Sequence, residues 1–398
     1  MIEGEKETIG EARFELSEGR PYYFQLDVLK AIAIAFVVMD HSLTWEIKGA
    51  LGSIFWERLS IPFFLIIMGF NMANSFEYRR HKTLKDLYSL DYFKRKLKRY
   101  VLPFAILWLA SLALGISLGY IDTSEYLLLG YLPFWGPGNW FIPLLFGSIL
   151  IFPIVYWLFE RAPLATIGLC FLSELVMQYL LWFLYPAATT AHDWFIITAI
   201  RVNILFFLPA VGIGLWFSKE PTLSSKHNWF VYPYLAISML FMIDYATISP
   251  ATGKGIIGSI PNAFGRFFAF SHDFIKGDYT LIFYGYAAFL VFATMLLVPQ
   301  YASGFFQRFI KRVGNSTYHI LLFQIFWMSI VYWSVSQVSV IERNIPVFNV
   351  VLGWPSLLFY IPFYLLNLSI AFAGGMLWYE AEKRLFYRSR PPEGRQML

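Results

Sequence analysis

Most of this 398-residue chain is laid out as runs of 18 or more mostly apolar residues, each long enough to cross about 30 Å of hydrocarbon as a helix. With 58% hydrophobic and 14% charged residues, the chain cannot hide its apolar surface in a core surrounded by water. The bilayer is therefore its solvent, and the expected fold class is all-α, a polytopic integral membrane protein.

Spans are expected at 24–44, 52–76, 100–119, 140–159, 163–185, 194–217, 229–248, 279–299, 316–337 and 354–380, about ten in all. Segment 77–99 holds Arg79, Arg80, Lys82, Lys85, Lys94, Arg95, Lys96, Lys98 and Arg99, whereas 120–139 and 186–193 hold no Lys or Arg. The positive-inside bias makes the first cytoplasmic and the other two external. Alternation then puts both termini in the cytoplasm, with Lys383, Arg384, Arg388, Arg390 and Arg395 in a basic tail over 381–398. Residues 1–23 carry six glutamates and no apolar core, which reads as a cytosolic tail rather than a signal peptide. The loop 249–278, with Lys254, Arg266 and Lys276, breaks the bias and is expected to fold over the outer mouth.

A net charge of +5 does not point to nucleic acid, because no soluble basic domain exists to bind it. The single cysteine, Cys170, lies in an apolar run, so no disulfide framework or zinc knuckle can be built, and no metal is expected.

Ionisable groups inside spans are costly and are site hypotheses by default. The first span has four: Asp27, Lys30, Asp40 and His41. Lys30 and His41 are almost three whole turns apart, on nearly the same face, and separated along the axis by about 16 Å. Lys30 could equally snorkel to headgroups. His41 is the stronger candidate, since imidazole suits general acid–base work near neutrality and Asp40 adjoins it. Glu57 and Arg58 read as an ion pair at a membrane entry. Lys96 and Arg99, three apart on one helix face before Pro103, would serve as a topology signal or grip a phosphorylated ligand. Glu174 and Arg201 are the remaining buried charges, and each needs a partner or a wet cavity.

Several segments together resemble the acyltransferase-3 family of membrane acyltransferases. LDVLKAIAIAFVVMDHS is similar to the family's first helix, in which an Arg or Lys and a His are separated by ten residues, as Lys30 and His41 are. IPFFLIIMGFNMANSF resembles its phenylalanine-rich segment ending in Ser-Gly-Phe, with Met68 where Ser is usual. KRKLKRYVLPF resembles its Arg-x-x-Arg motif, met by Lys96 and Arg99. GPGNWFIPLLFGSILIFP and RVNILFFLPAVGIGLW are similar to its Trp-Phe and later Pro/Gly-containing spans. VGNSTYHILLFQIFW resembles its Asn-Ser-x-x-Ile-Tyr-Leu segment, but Gln324 stands near where a His is common, and His319 lies earlier.

The resemblance implies one transmembrane acyltransferase domain over 24–380 in the cytoplasmic membrane. It implies no resident cofactor, and acyl-CoA, most often acetyl-CoA, as co-substrate. Lys96, Arg99 and the deeper Lys30, positioned by Asp27, would hold the nucleotide phosphates. His41 would meet the thioester as base or nucleophile, and Asp40 would orient or charge it, although neighbours on a helix point about 100° apart. Expected partners are membrane lipids, acyl-CoA and a glycan or lipid acceptor; a homo-oligomer is left open. Acceptor contacts would come from 120–139 and 249–278, where Phe134, Trp135 and Trp140 are either a sugar-stacking set or an interfacial belt. The chief alternative function is a transporter or flippase for a lipid-linked or anionic glycan precursor. A non-catalytic scaffold ranks last, since it has little reason to keep Lys30, His41, Glu174 and Arg201 within spans.

Overall fold

A computed structural model describes residues 22–338, apart from 123, 223–224, 250, 277–278 and 302–303, together with residues 357–386. The expected tail at 1–23, except Tyr22 and Tyr23, and the tail residues Arg388, Arg390 and Arg395 lie outside the described residues.

Every regular element among those described is helical. The central helix, α1 (Phe24–Ser42), has 19 residues, about 28 Å of rise and close to the hydrocarbon thickness. A short α2 (Trp45–Ala50) and two 3₁₀ turns lead into α3 (Ser60–Tyr78). Next come α4 (Leu84–Leu87), α5 (Leu90–Lys96), α6 (Leu102–Ser117), α7 (Phe141–Phe159), α8 (Pro163–Leu184), α9 (Ala191–Arg201) and α10 (Leu208–Lys219). The chain then forms α11 (Val231–Ala246), α12 (Ala263–Phe274), α13 (Leu281–Leu297), α14 (Phe305–Val338) and α15 (Leu357–Phe386).

Among the described residues, six helical segments are long and apolar enough to cross a membrane, or seven if the bent pair α9 and α10 counts as one span. All ten expected spans have a helix at their position, but three fall short by length and composition. The α1 helix holds Asp27, Lys30 and Asp40. The α13 helix has 17 residues. The α14 helix is long enough at 34 residues, but it carries Ser316, Thr317, His319 and Gln324 within the expected span. The expected span 194–217 is not one rod: it bends by 45°, where Asn203 breaks the helix and caps the next turn by accepting from the Leu205 amide at 3.0 Å.

Burial orders these helices. In the Ser53–Tyr78 segment 78% of the apolar window is buried, against 17% in Tyr360–Leu385, so α3 is central and α15 peripheral. The α3 helix packs closely on α10 because Gly69 lies against the Val211 carbonyl and Gly214 against that of Ile66, a small-residue contact of the kind that drives helix association in lipid. The α1 helix lies between α3 and α14 and also touches α13 and α15. Two contacts fix its register on α14. A Cβ on Gly314 would stand 2.5 Å from the Asp27 carboxylate, and the Tyr332 hydroxyl donates to the His41 carbonyl at 3.2 Å. The two helices therefore run parallel, with Asp27 and Gly314 at one end and His41 and Tyr332 at the other.

The segment expected to cover a mouth, 249–278, contains α12 and is tied down by Asp244. This fully buried carboxylate accepts from the amides of Ile257 at 2.7 Å and Gly258 at 2.9 Å, and pairs with His272 Nε2 at 2.6 Å.

Candidate active site

At the first end of α1, Lys30 donates to Asp27 Oδ1 at 2.9 Å and the Tyr22 hydroxyl to Oδ2 at 2.6 Å. Burial and this bond to a carboxylate push the Tyr22 phenol well above its ordinary value, so it remains a donor. Asp27 is 2% exposed, whereas the Lys30 side chain keeps 21% of its surface. The carboxylate and the lysine are thus paired, with the carboxylate the more deeply buried of the two.

Lys96 and Arg99 come to the same place by a local irregularity. A continuous α-helix would press the Pro103 ring against the Arg99 carbonyl, and residues Leu97–Val101 open into a single π turn there. The Lys96 ammonium lies 5.4 Å and 5.1 Å from the ring centres of Tyr92 and Tyr100, and the Arg99 guanidinium 5.5 Å from that of Tyr100. Asp27 meets Gly314 of α14, one turn before Tyr318, which brings the Lys30 end of α1 beside this turn. The Tyr318 hydroxyl of α14 donates to the Tyr100 carbonyl at 2.8 Å, which locks this turn to the bundle. Lys30 on α1 and the Lys96–Arg99 pair thus come to one aromatic-lined basic cluster.

At the other end, Asp40 Oδ2 stands 3.5 Å from His41 Nδ1, and Oδ1 takes a bond from Lys48. The helix ends at Ser42, and tertiary contacts satisfy its last polar groups. Tyr332 bonds the His41 carbonyl, and Asn367 Nδ2 donates to Ser42 Oγ at 3.1 Å while Asn367 Oδ1 accepts from Trp327 Nε1 at 2.9 Å. The other imidazole nitrogen, Nε2, faces the loop before α7: a Cβ on Gly138 would lie 3.7 Å from it and 3.3 Å from Ile325 Cγ1. Gly138 adopts φ +91°, which side chains rarely tolerate, so its backbone can come this near the imidazole.

Other expectations divide. Glu174 and Arg201 are not partners. Fully buried Glu174 accepts from the Leu281 amide at 2.8 Å and from Gln178 at 3.4 Å, tying α8 to the start of α13. Arg201 Nη1 donates to the Tyr185 hydroxyl at 3.2 Å. Arg58 is buried against the rings of Tyr245 and Phe283, 5.1 Å and 5.5 Å from their centres. Of the three aromatics considered for stacking, Phe134 is 1% exposed and Trp140 stacks on Phe207 and Tyr279, whereas Trp135 is exposed beside Tyr332.

His319 pairs with Glu382 at 2.8 Å, both side chains 7% exposed. It lies six residues, about 9 Å of helix, before Ile325 and so toward the Lys30 end. Gln324 is fully buried, with neither amide atom partnered.

Lys48, Tyr100, Tyr332 and the Gly138–Asn139 loop were missed by sequence reasoning. Lys48 carried the only usable signal, a cation just past the His41 helix and beside Trp45, over whose ring it lies at 4.3 Å. The arrangement can hold phosphates at one end of α1 and move a proton at the other.

The acyltransferase-3 family model, described as an acyltransferase domain, matches residues 23–380 and so includes both ends of α1. No curated protein and no solved structure matches the chain. A match covering all but the two ends of the sequence shows that the chain belongs to the acyltransferase-3 family and is a multi-pass membrane acyltransferase.

Proposed function

We propose that this protein moves an acyl group, acetyl by family resemblance, from cytosolic acyl-CoA to a hydroxyl of an extracytoplasmic glycan, lipid or small molecule. The observation that carries this reading is the separation of Lys30, the member of the basic cluster on α1, from His41 by about 16 Å along that helix. That length is comparable with the pantetheine arm joining the phosphates of coenzyme A to its thioester. The reading takes α1 as crossing the cytoplasmic membrane with Lys30 inside, both termini cytoplasmic and ten crossings in all.

The basic cluster would bind the donor's phosphates by charge-assisted bonds, with Asp27 positioning Lys30. His41 Nε2 would remove the acceptor's hydroxyl proton as that oxygen attacks the thioester carbonyl. Collapse of the tetrahedral adduct breaks the carbon–sulfur bond, and the imidazolium returns its proton to the departing thiolate. Asp40 would stabilise that imidazolium. A basic cluster at one end, an imidazole at the other and a family match over both support the reading.

The test follows free thiol released from acetyl-CoA by purified protein in detergent, beside His41→Ala. Release in wild type that falls at least 10²-fold in the variant is expected. Wild type that neither binds nor consumes acetyl-CoA would sink the proposal for that donor and turn attention to transport of a glycan precursor.

A further inference from the structure

Asn139 stands out as the chain neighbour of Gly138, the residue that faces His41. It is 1% exposed, and neither Oδ1 nor Nδ2 has a hydrogen-bond partner among the described residues. Burying an amide without partners costs free energy that a leucine of similar size would not. Its place in the chain gives it a use. It follows Gly138, whose Cα faces His41 Nε2, and consecutive Cα atoms are about 3.8 Å apart. Asn139 also lies two residues before the start of α7: its carbonyl accepts from the Ile142 amide at 3.1 Å, and the Gly138 carbonyl from that of Phe141 at the same distance. The residue is thus fixed by a helix start, at its electropositive end, rather than carried on a free loop. Gln324 is orphaned too, but it is turned about 100° around α14 from Ile325, the residue that meets Gly138.

We propose that the Asn139 side-chain amide is a catalytic hydrogen-bond donor to the thioester carbonyl oxygen, a role that rests on the acyl-transfer reading above. As the acceptor oxygen bonds to the carbonyl carbon and gives its proton to His41, the carbonyl π pair moves onto oxygen, and Asn139 Nδ2–H stabilises that charge. When the carbon–sulfur bond breaks, the pair returns, the thiolate takes the proton from His41, and the amide is unchanged. A preorganised donor in a dry site acts where charge develops, and the unpartnered amide would persist because it is used there.

The experiment compares Asn139→Ala, Asn139→Asp and Asn139→Leu with wild type in acetyl-CoA thiol release, coenzyme A binding and thermal unfolding. The expected result is a 10²- to 10³-fold fall in kcat for all three, donor KM and coenzyme A affinity within threefold of wild type, and Asn139→Leu melting no lower than wild type. Turnover in wild type that Asn139→Ala leaves within threefold overturns the assignment alone. So does a melting temperature that falls in Asn139→Leu together with coenzyme A affinity, which marks a structural amide. Wild type without turnover overturns the acyl-transfer reading and this assignment with it.

Discussion

Asp40 stands 3.5 Å from His41 although the two are neighbours on one helix. Because α1 ends at Ser42, both side chains hang over its last turn and can approach each other. Lys48 holds the other carboxylate oxygen, so the carboxylate cannot swing away.

That relay predicts coupling. Asp40→Ala and Lys48→Ala should each lower kcat for thiol release, and the double variant should be less impaired than the product of the singles, by about 0.5–3 kcal/mol in a double-mutant cycle. Lys48→Ala also leaves Asp40 without its cation. A loss of about 1–2 kcal/mol of stability is expected, below that of a fully buried pair because Asp40 keeps 19% of its side chain exposed. Strictly multiplicative effects on kcat would show that the two residues act independently.

The basic cluster predicts a salt-dependent donor affinity. Lys96→Ala/Arg99→Ala should raise the KM for acetyl-CoA about 10- to 100-fold with a smaller change in kcat, and flatten the rise of KM with ionic strength seen in wild type. Steady-state kinetics across a salt series would check this, and an unchanged KM would assign the pair to topology alone.

The His319–Glu382 pair joins α14 to α15 and lies away from His41, so its variants should separate stability from chemistry. His319→Ala leaves a buried carboxylate unpaired and should cost about 3 kcal/mol, while kcat per folded molecule stays within a few-fold of wild type. Thermal melts and thiol release on the same preparation would settle it. A kcat loss as deep as that of His41→Ala would return His319 to the reacting centre.

Packing predicts a sharp sensitivity at the α3–α10 contact. A methyl at Gly214 meets the Ile66 carbonyl, which is backbone rather than a flexible side chain. Gly214→Ala should therefore force the helices apart and cost about 1–3 kcal/mol. A melting temperature equal to that of wild type would mean that the helices separate freely.

The positions of the helices were legible because lipid demands that each span satisfy its own backbone, and the apolar runs mark where that happens. Charges interrupting such runs are conspicuous for the same reason, so Asp27, Lys30, Asp40, His41 and Glu174 were found at once. Asp27 with Lys30 was readable too, since three residues along a helix share a face. The break near Asn203 was not, because one arginine and one asparagine in an otherwise apolar run do not distinguish a bent span from a straight one.

The sequence by itself determined the class, the helix positions, the family and the His41 and Lys30 ends of the first helix, since these depend on local periodicity and on the cost of charge in hydrocarbon. Tertiary structure alone decided what meets what: Glu174 on the start of α13, Glu382 on His319, Tyr318 on Tyr100, and the Gly138–Asn139 turn over His41. Those partners lie far apart in the chain and are joined by how helices cross and slide against one another, a property of side-chain packing between segments that no single segment encodes.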